Sequence, residues 1–198
     1  MTLLEVVVGL TITGVAVSAG YAALATALDH RDRAEAALTA GLEAANIRRE
    51  LRAWLGGARL TVEEDGPGIR GLDGVVEVGQ SGLVSDDRLT LLTTAATPLE
   101  ATEVIVTLFV DRDSLTPATG LVAHLKAWRG REETVVEVDP RVTGLAIRYF
   151  SEPLGHRGWL PSWISRSLLP SGIEVTLTGD SLPPLLVLPM LVAVGSNR

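Results

Sequence analysis

The chain has 198 residues and a mass of 20.9 kDa, enough for one ordinary domain and an appendage. Its 46% hydrophobic residues and mean hydropathy of +0.30 are high for a soluble protein and low for a multi-span membrane protein, so one greasy segment on a globular body is expected. A formal net charge of −7 argues against a nucleic-acid partner bound through phosphates, and the lack of cysteine excludes disulfides, thiolate metal sites and thiol nucleophiles. Of the 17 basic residues only Lys126 is a lysine and the other 16 are arginine, a composition bias and not a basic patch.

The greasy segment comes first. Val6 to Leu28 is a run of 23 uncharged residues, which as a helix rises about 35 Å, enough to cross a hydrocarbon core of about 30 Å. No Lys or Arg precedes it and the only early charge is Glu5, which is a poor start for a signal peptide and an acceptable one for a single span. Gly9, Gly14, Gly20, Thr11, Thr13, Ser18 and Thr26 weaken its apolarity. Small residues also recur four apart, as in Gly14 and Ser18, which lets helices approach closely. An Ala/Gly-rich anchor and a helix built to pack among copies of itself both fit. Glu5 favours the second, because a carboxylate in an apolar helix is costly unless paired.

Past Leu28 the chain turns polar with Asp29, His30, Arg31, Asp32 and Arg33. From Ala34 to Leu55 there is no proline, and Leu38, Leu42, Ile47, Leu51, Trp54 and Leu55 recur at helical spacing until Gly56-Gly57 ends the helix. The expected organisation is a membrane or filament-core helix over 1–28, its amphipathic half over 29–58 and a β-rich body over 59–198. Within the body, nine strands are expected: Arg59–Glu63, Val75–Val78, Arg88–Thr94, Glu103–Val110, Leu121–Trp128, Thr134–Val138, Leu145–Phe150, Ile173–Leu177 and Leu185–Val194. Their short spacing argues for antiparallel sheets, two of them, and an α+β class.

Chemistry-bearing motifs are scarce. Gly66-Pro67-Gly68-Ile69-Arg70-Gly71 satisfies G-x-G-x-x-G, but Glu63-Glu64-Asp65 before it repels phosphate and no helix follows, so it reads as a turn. His30, His124 and His156 have no metal-ligand spacing, and no Gly-x-Ser-x-Gly elbow surrounds a serine. Asp111, Asp113 and Ser114 look like the start of a calcium loop without its glycine and distal glutamate, and read as an acidic hairpin turn. No catalytic, cofactor or metal site is expected.

Met1-Thr2-Leu3-Leu4-Glu5-Val6, followed by an uncharged helix, resembles the mature N-terminus of type IV pilin-like proteins. The resemblance implies a leader removed by prepilin peptidase, methylation of Met1, and pairing of Glu5 with the N-terminal amine of an adjacent subunit. No leader is present in the sequence, so Met1 as an initiator stays open. Leu145-Ala-Ile-Arg-Tyr149-Phe150, then Gly158-Trp159, Trp163, Leu169-Pro170 and Ile173-Glu-Val175-Thr-Leu177, is similar to the C-terminal signature of the J-type minor pseudopilins of type II secretion. That implies a long pilin helix packed on antiparallel β-sheets, anchored in the bacterial inner membrane with its body in the periplasm before it joins a pseudopilus. It also implies I-, K- and H-type and major pseudopilins as partners, with no cofactor and no turnover. Gly14, Ser18, Leu38, Leu42, Trp159 and Trp163 are the residues expected to pack against those partners. A minor pilin of a type IV pilus or DNA-uptake pseudopilus, and a membrane-anchored β-domain that never polymerises, remain the alternatives.

Overall fold

The computed structural model of the chain describes residues 2–61, 67–78, 82–113, 115–152 and 158–195, without the side chains of Glu5 and Val78. A 54-residue helix, α1 (Leu3–Gly56), opens the chain and ends at the expected Gly56-Gly57. The β-strands follow: β1 (Ala58–Arg59), β2 (Ile69–Leu72), β3 (Val75–Val78), β4 (Gly82–Ser85), β5 (Arg88–Thr93), β6 (Val104–Asp111), β7 (Gly120–Ala127), β8 (Glu133–Asp139), β9 (Gly144–Ser151), β10 (Gly158–Leu160), β11 (Trp163–Ser165) and β12 (Gly172–Thr178). A four-residue helix, α2 (Pro184–Val187), precedes the final strand β13 (Met190–Ala193). The class is α+β, a long N-terminal helix followed by antiparallel sheets.

The chain forms two compact units, residues 1–43 and 44–198. Among the described residues the first consists of Thr2 and α1 residues. The second holds the end of α1 and all the strands. Its described strands form a seven-stranded sheet ordered β11-β2-β5-β6-β7-β8 with β1 also on β5, a four-stranded sheet ordered β10-β9-β12-β13, and the β3-β4 hairpin. The expected pair of sheets is therefore accompanied by a third, two-stranded one.

One core serves the whole second unit. Leu51, Trp54 and Leu55 of α1 are buried with Leu89, Leu91, Val106 and Leu108 of the larger sheet and with Leu145, Ile147, Tyr149, Ile173 and Val175 of the smaller one. Strand β6 shows why, since Val104, Val106, Leu108 and Val110 alternate with half-buried residues and place one apolar face inward. The Trp54 indole N–H donates to the Ala96 carbonyl at 3.3 Å, so the largest buried ring carries no orphan donor. Gly120, at φ +74°, starts β7 where a Cβ would lie 2.4 Å from the Asp139 carbonyl, and the register slips just after it between Leu121 and Val122.

Three expectations need correction. Leu185–Val194 is not one strand: Pro183 and Pro184 favour the start of α2, and Pro189 separates that helix from β13. The Arg48 guanidinium holds the break, donating to the carbonyls of Leu185 (2.8 Å), Leu188 (2.6 Å) and Pro189 (3.3 Å). Gly66–Gly71 is not simply a turn, because Ile69–Leu72 is strand β2, paired with both β5 and β11; Gly66 lies outside the described residues. Of the strand expected over Arg59–Glu63, Arg59 falls in β1 and Leu60 and Thr61 in no strand, while Val62 and Glu63 lie outside the described residues.

Asp139 is buried at 1% exposure and gripped by Arg141, whose Nε and Nη2 reach its two oxygens at 2.9 and 2.8 Å while the Arg141 main-chain N–H adds a third bond at 2.9 Å. Burial alone pushes this carboxyl up, but the bonds and charge of Arg141 outweigh it and hold the group below its usual value. A carboxylate depressed in the fold stabilises it above the unfolded value, near about 3.9, and that contribution disappears as pH falls through the folded value. Asp139→Asn should therefore lower stability at neutral pH and flatten the acid limb of a denaturation profile below about pH 4. Trp54→Ala should cost about 3–5 kcal/mol in denaturant unfolding, by emptying the space between helix and sheets.

Candidate assembly surfaces

In the first unit the helix is the only secondary-structure element among the described residues. Val6–Gly56 is long and apolar enough to contain a membrane span, and none of its most apolar 18-residue window is buried. Among the described residues, the side chains from Val6 to Leu28 are exposed around the whole circumference, including Leu10, Ile12, Val15, Val17 and Leu24. A helix apolar on all sides is suited to lipid or to other helices, not to water. Four of its hydroxyls bond within the helix: Thr11, Thr13, Ser18 and Thr26 donate to the carbonyls four residues earlier at 2.8–2.9 Å. That removes the cost of placing them in an apolar medium.

The residues expected to pack against partners occupy different places. Ser18 bonds the Gly14 carbonyl, and a Cβ added at Gly14 would meet nothing within 4 Å, so this small face is open. Leu38 and Leu42 are 68% and 66% exposed. At about 100° per residue the Gly14–Ser18 and Leu38–Leu42 pairs face about 120° apart on an ideal helix. Between them lie the ion pairs Arg31–Glu35 at 2.8 Å and Arg33–Asp29 at 2.6 Å, all four side chains more than half exposed and so worth little to stability. Glu5 lies in the first turn of α1, its side chain outside the described residues, as is all of Met1.

Trp159 and Trp163 part company in the second unit. Trp163 is only 5% exposed and donates its indole N–H to the Leu168 carbonyl at 3.1 Å, so it anchors the body's interior and offers little surface to a partner. Trp159 is half-buried, 5.3 Å from the Phe150 ring, with the Arg148 guanidinium 5.3 Å from its own ring. The register makes a surface of these: Trp159, Phe150, Gly172 and Ala193 lie in one row across the four-stranded sheet, and Arg148, Glu174 and Leu191 in the next. Leu191 is 62% exposed and Leu188 58%, at the β13 edge. Aromatic, arginine and leucine side chains in one patch are the usual material of protein interfaces. Arg148 and Leu191 were not singled out from the sequence, where nothing signals a cross-strand row; alternation along β9 identifies only which residues share its outer face.

The polar clusters have structural occupations. Asp111 accepts from the Asp113 N–H and Asp113 from the Leu115 N–H, both at 2.9 Å, while the Thr116 hydroxyl donates to Asp111 at 3.1 Å. Those are the bonds of an acidic hairpin turn; Ser114 lies outside the described residues. His124 sits 3.8 Å from Glu133 across β7 and β8, and His156 lies outside the described residues. No group of three His, Cys, Asp or Glu able to hold a metal occurs among the described residues. A cleft of about 540 Å³ is lined by Arg59, Thr94, Glu103, Trp128 and Arg129 among others.

No protein-family model matches the chain, and no curated protein matches it. Among solved structures it is similar to a chain of the GspK-GspI-GspJ complex from the type 2 secretion system of enterotoxigenic Escherichia coli, with a TM-score of 0.46 and 15% identity over 78% of this chain and 99% of that one.

If the exposed helix inserts into lipid, an arginine in the middle of it is costly, about 2.5–3.5 kcal/mol on an insertion scale. Val15→Arg should shift the full chain from the vesicle fraction toward the soluble one in a flotation assay, with the circular dichroism of the β-body unchanged.

Proposed function

We propose that this chain is a minor pseudopilin of a type II secretion system, of the J type, acting by assembly and not by turnover. The observation that carries the reading is the uncharged helix headed by Thr2-Leu3-Leu4-Glu5, exposed over its entire apolar length in a chain whose β-body already has its own complete core. Such a helix needs two successive environments, the inner membrane and then a bundle of similar helices. Small residues such as Gly14 and Ser18 suit close helix approach.

In this reading prepilin peptidase processes the precursor, Met1 is methylated, and Glu5 pairs with the terminal amine of the adjacent subunit. Ion pairing is the physical reason for the carboxylate, since leaving either charge alone inside an apolar bundle costs several kcal/mol. The body stays in the periplasm and presents the Trp159, Phe150 and Arg148 row to I-, K- or H-type pseudopilins, while Leu38 and Leu42 face neighbours along the filament. The major pseudopilin then extends the filament below this tip.

Two measurements test the proposal. The full chain in detergent should co-purify stoichiometrically with the I- and K-type pseudopilins encoded by the same genome. Glu5→Ala should leave membrane insertion intact and reduce incorporation into pseudopili at least about tenfold, the effect of about 1.4 kcal/mol. Absence of a complex among folded proteins would move the assignment to a pilus or DNA-uptake system. Unaltered assembly of the Glu5 variant would leave a membrane-anchored β-domain that does not polymerise.

A further inference from the structure

The two larger sheets end in the edge strands β11, β8, β10 and β13. Strands β11 and β10 have three residues each. Strand β13 has four and lies against the end of α1, where a Cβ on Gly56 would meet Val192 Cγ1 at 3.8 Å and the Ala193 carbonyl at 3.9 Å. Strand β8 differs from all three. It runs for seven residues, Glu133–Asp139, contains no proline, and pairs only with β7 among the described residues. Its register slip comes at the far end, beyond Glu137. Proteins usually shorten, cover or kink such an edge, because its open N–H and C=O groups are a template for another strand.

The hydrogen-bond phase fixes which groups face outward. At the turn into β8 the Ala127 N–H donates to the Glu132 carbonyl at 2.9 Å, so this opposed pair is a bonded one. Bonded and non-bonded pairs alternate along an antiparallel ladder. Thr134 and Val136, opposite Leu125 and Ala123, therefore turn their main-chain groups toward β7. Glu133 and Val135, opposite Lys126 and His124, turn theirs away from it. The same residues carry the accessible side chains: Val135 is 53% exposed and Glu133 and Glu137 are exposed, while Val136 and Val138 pack on the core. Glu133 has His124 at 3.8 Å and Lys126 opposite it in the register, and Glu137 accepts the Thr119 N–H at 2.9 Å. These neighbours all come from the β7 side. Two carboxylates four residues apart thus flank one exposed valine on an open edge.

We propose that the outer edge of β8 accepts a basic β-strand of another protein, added antiparallel, with arginine or lysine opposite Glu133 and Glu137 and a β-branched apolar residue opposite Val135. Charge complementarity identifies the occupant. Opposite charges directly across a ladder stabilise it, and like charges weaken it. A second copy of this chain, antiparallel and centred on Val135, sets Glu133 against Glu137 twice, so the edge repels its own copy in the register that suits a basic strand. The main-chain groups of Glu133 and Val135 supply affinity for any extended chain, and the two carboxylates select among chains. This edge belongs to the seven-stranded sheet and is separate from the Trp159 row of the four-stranded one. Nothing in the inference rests on α1 or on the pseudopilin assignment.

Titration of the full chain in detergent with a cyclic hairpin peptide, its outer strand reading Thr-Arg-Thr-Val-Thr-Arg-Thr, tests this. The peptide should bind about tenfold more tightly than its counterpart with glutamate in place of arginine, and should newly protect the Glu133 and Val135 amides from hydrogen exchange. Val135→Pro removes an outward N–H and no bond to β7, so it should abolish binding with the circular dichroism of the β-body unchanged. A peptide N-methylated at its central valine should fail on the wild type in the same way, a result that does not depend on how the proline variant folds. Glu133→Arg together with Glu137→Arg should reverse the preference between the two peptides. No binding of the arginine peptide, equal binding of both peptides, or binding that survives N-methylation would each overturn the proposal. Self-association of the full chain that Val135→Pro dissolves would overturn it too, by giving the edge to a second copy.

Discussion

The second unit depends on the burial of one short stretch of α1. Leu51, Trp54 and Leu55 contribute almost no surface to solvent, and both larger sheets have their apolar faces in the same core. A strand such as β6 or β9 hides only alternate side chains, so each sheet needs something apolar to cover its inner face, and the end of the helix helps to supply it. Arg48 extends the same attachment by holding three carbonyls around the α2-β13 junction. Burial and the charge of Arg52 push its guanidinium below the ordinary value, but the group remains a cation far below that range.

Polar groups connect what the core cannot. Asp87 takes main-chain bonds from Gly74 in the β2-β3 connection and from Ile147 of β9, and Asp139 binds Arg141 at the end of β8. Buried carboxyls with no bonds would cost several kcal/mol each, so their partners are what allow them to be there. The two environments differ in sign. Asp139 has a guanidinium against it and is held below its usual value, whereas burial pushes Asp87 up against its two main-chain donors.

The surfaces left open separate by chemistry. The first unit offers apolar and small side chains, with the hydroxyls of Thr11, Thr13, Ser18 and Thr26 bonded to their own helix, suited to lipid and helix neighbours. The second offers a mixed row of aromatic, arginine and leucine side chains, suited to a water-exposed protein partner. Neither resembles a catalytic pocket.

Much of this was legible in the residues. The uncharged run from Val6 to Leu28, the helix stop at Gly56-Gly57 and the long strands β5 to β9 and β12 follow from local hydropathy, glycine and β-branched patterning, which act over a few neighbours. Strands β2, β4, β10 and β11 were not legible, because three or four residues, in the first three with a glycine among them (Gly71, Gly82, Gly158), have too little pattern of their own and are held by their pairing partners. Trp159 and Trp163 have equal standing in sequence, yet one lies half-exposed over Arg148 and the other is in the core. The sequence by itself determined the long apolar helix, the β-rich body and the absence of thiol chemistry, since those are properties of composition and short-range period. Only the tertiary structure decided which tryptophan faces outward, how Pro183 to Pro189 divides the last run, and that Asp87 accepts from Ile147 of β9, because each depends on which distant strands lie side by side.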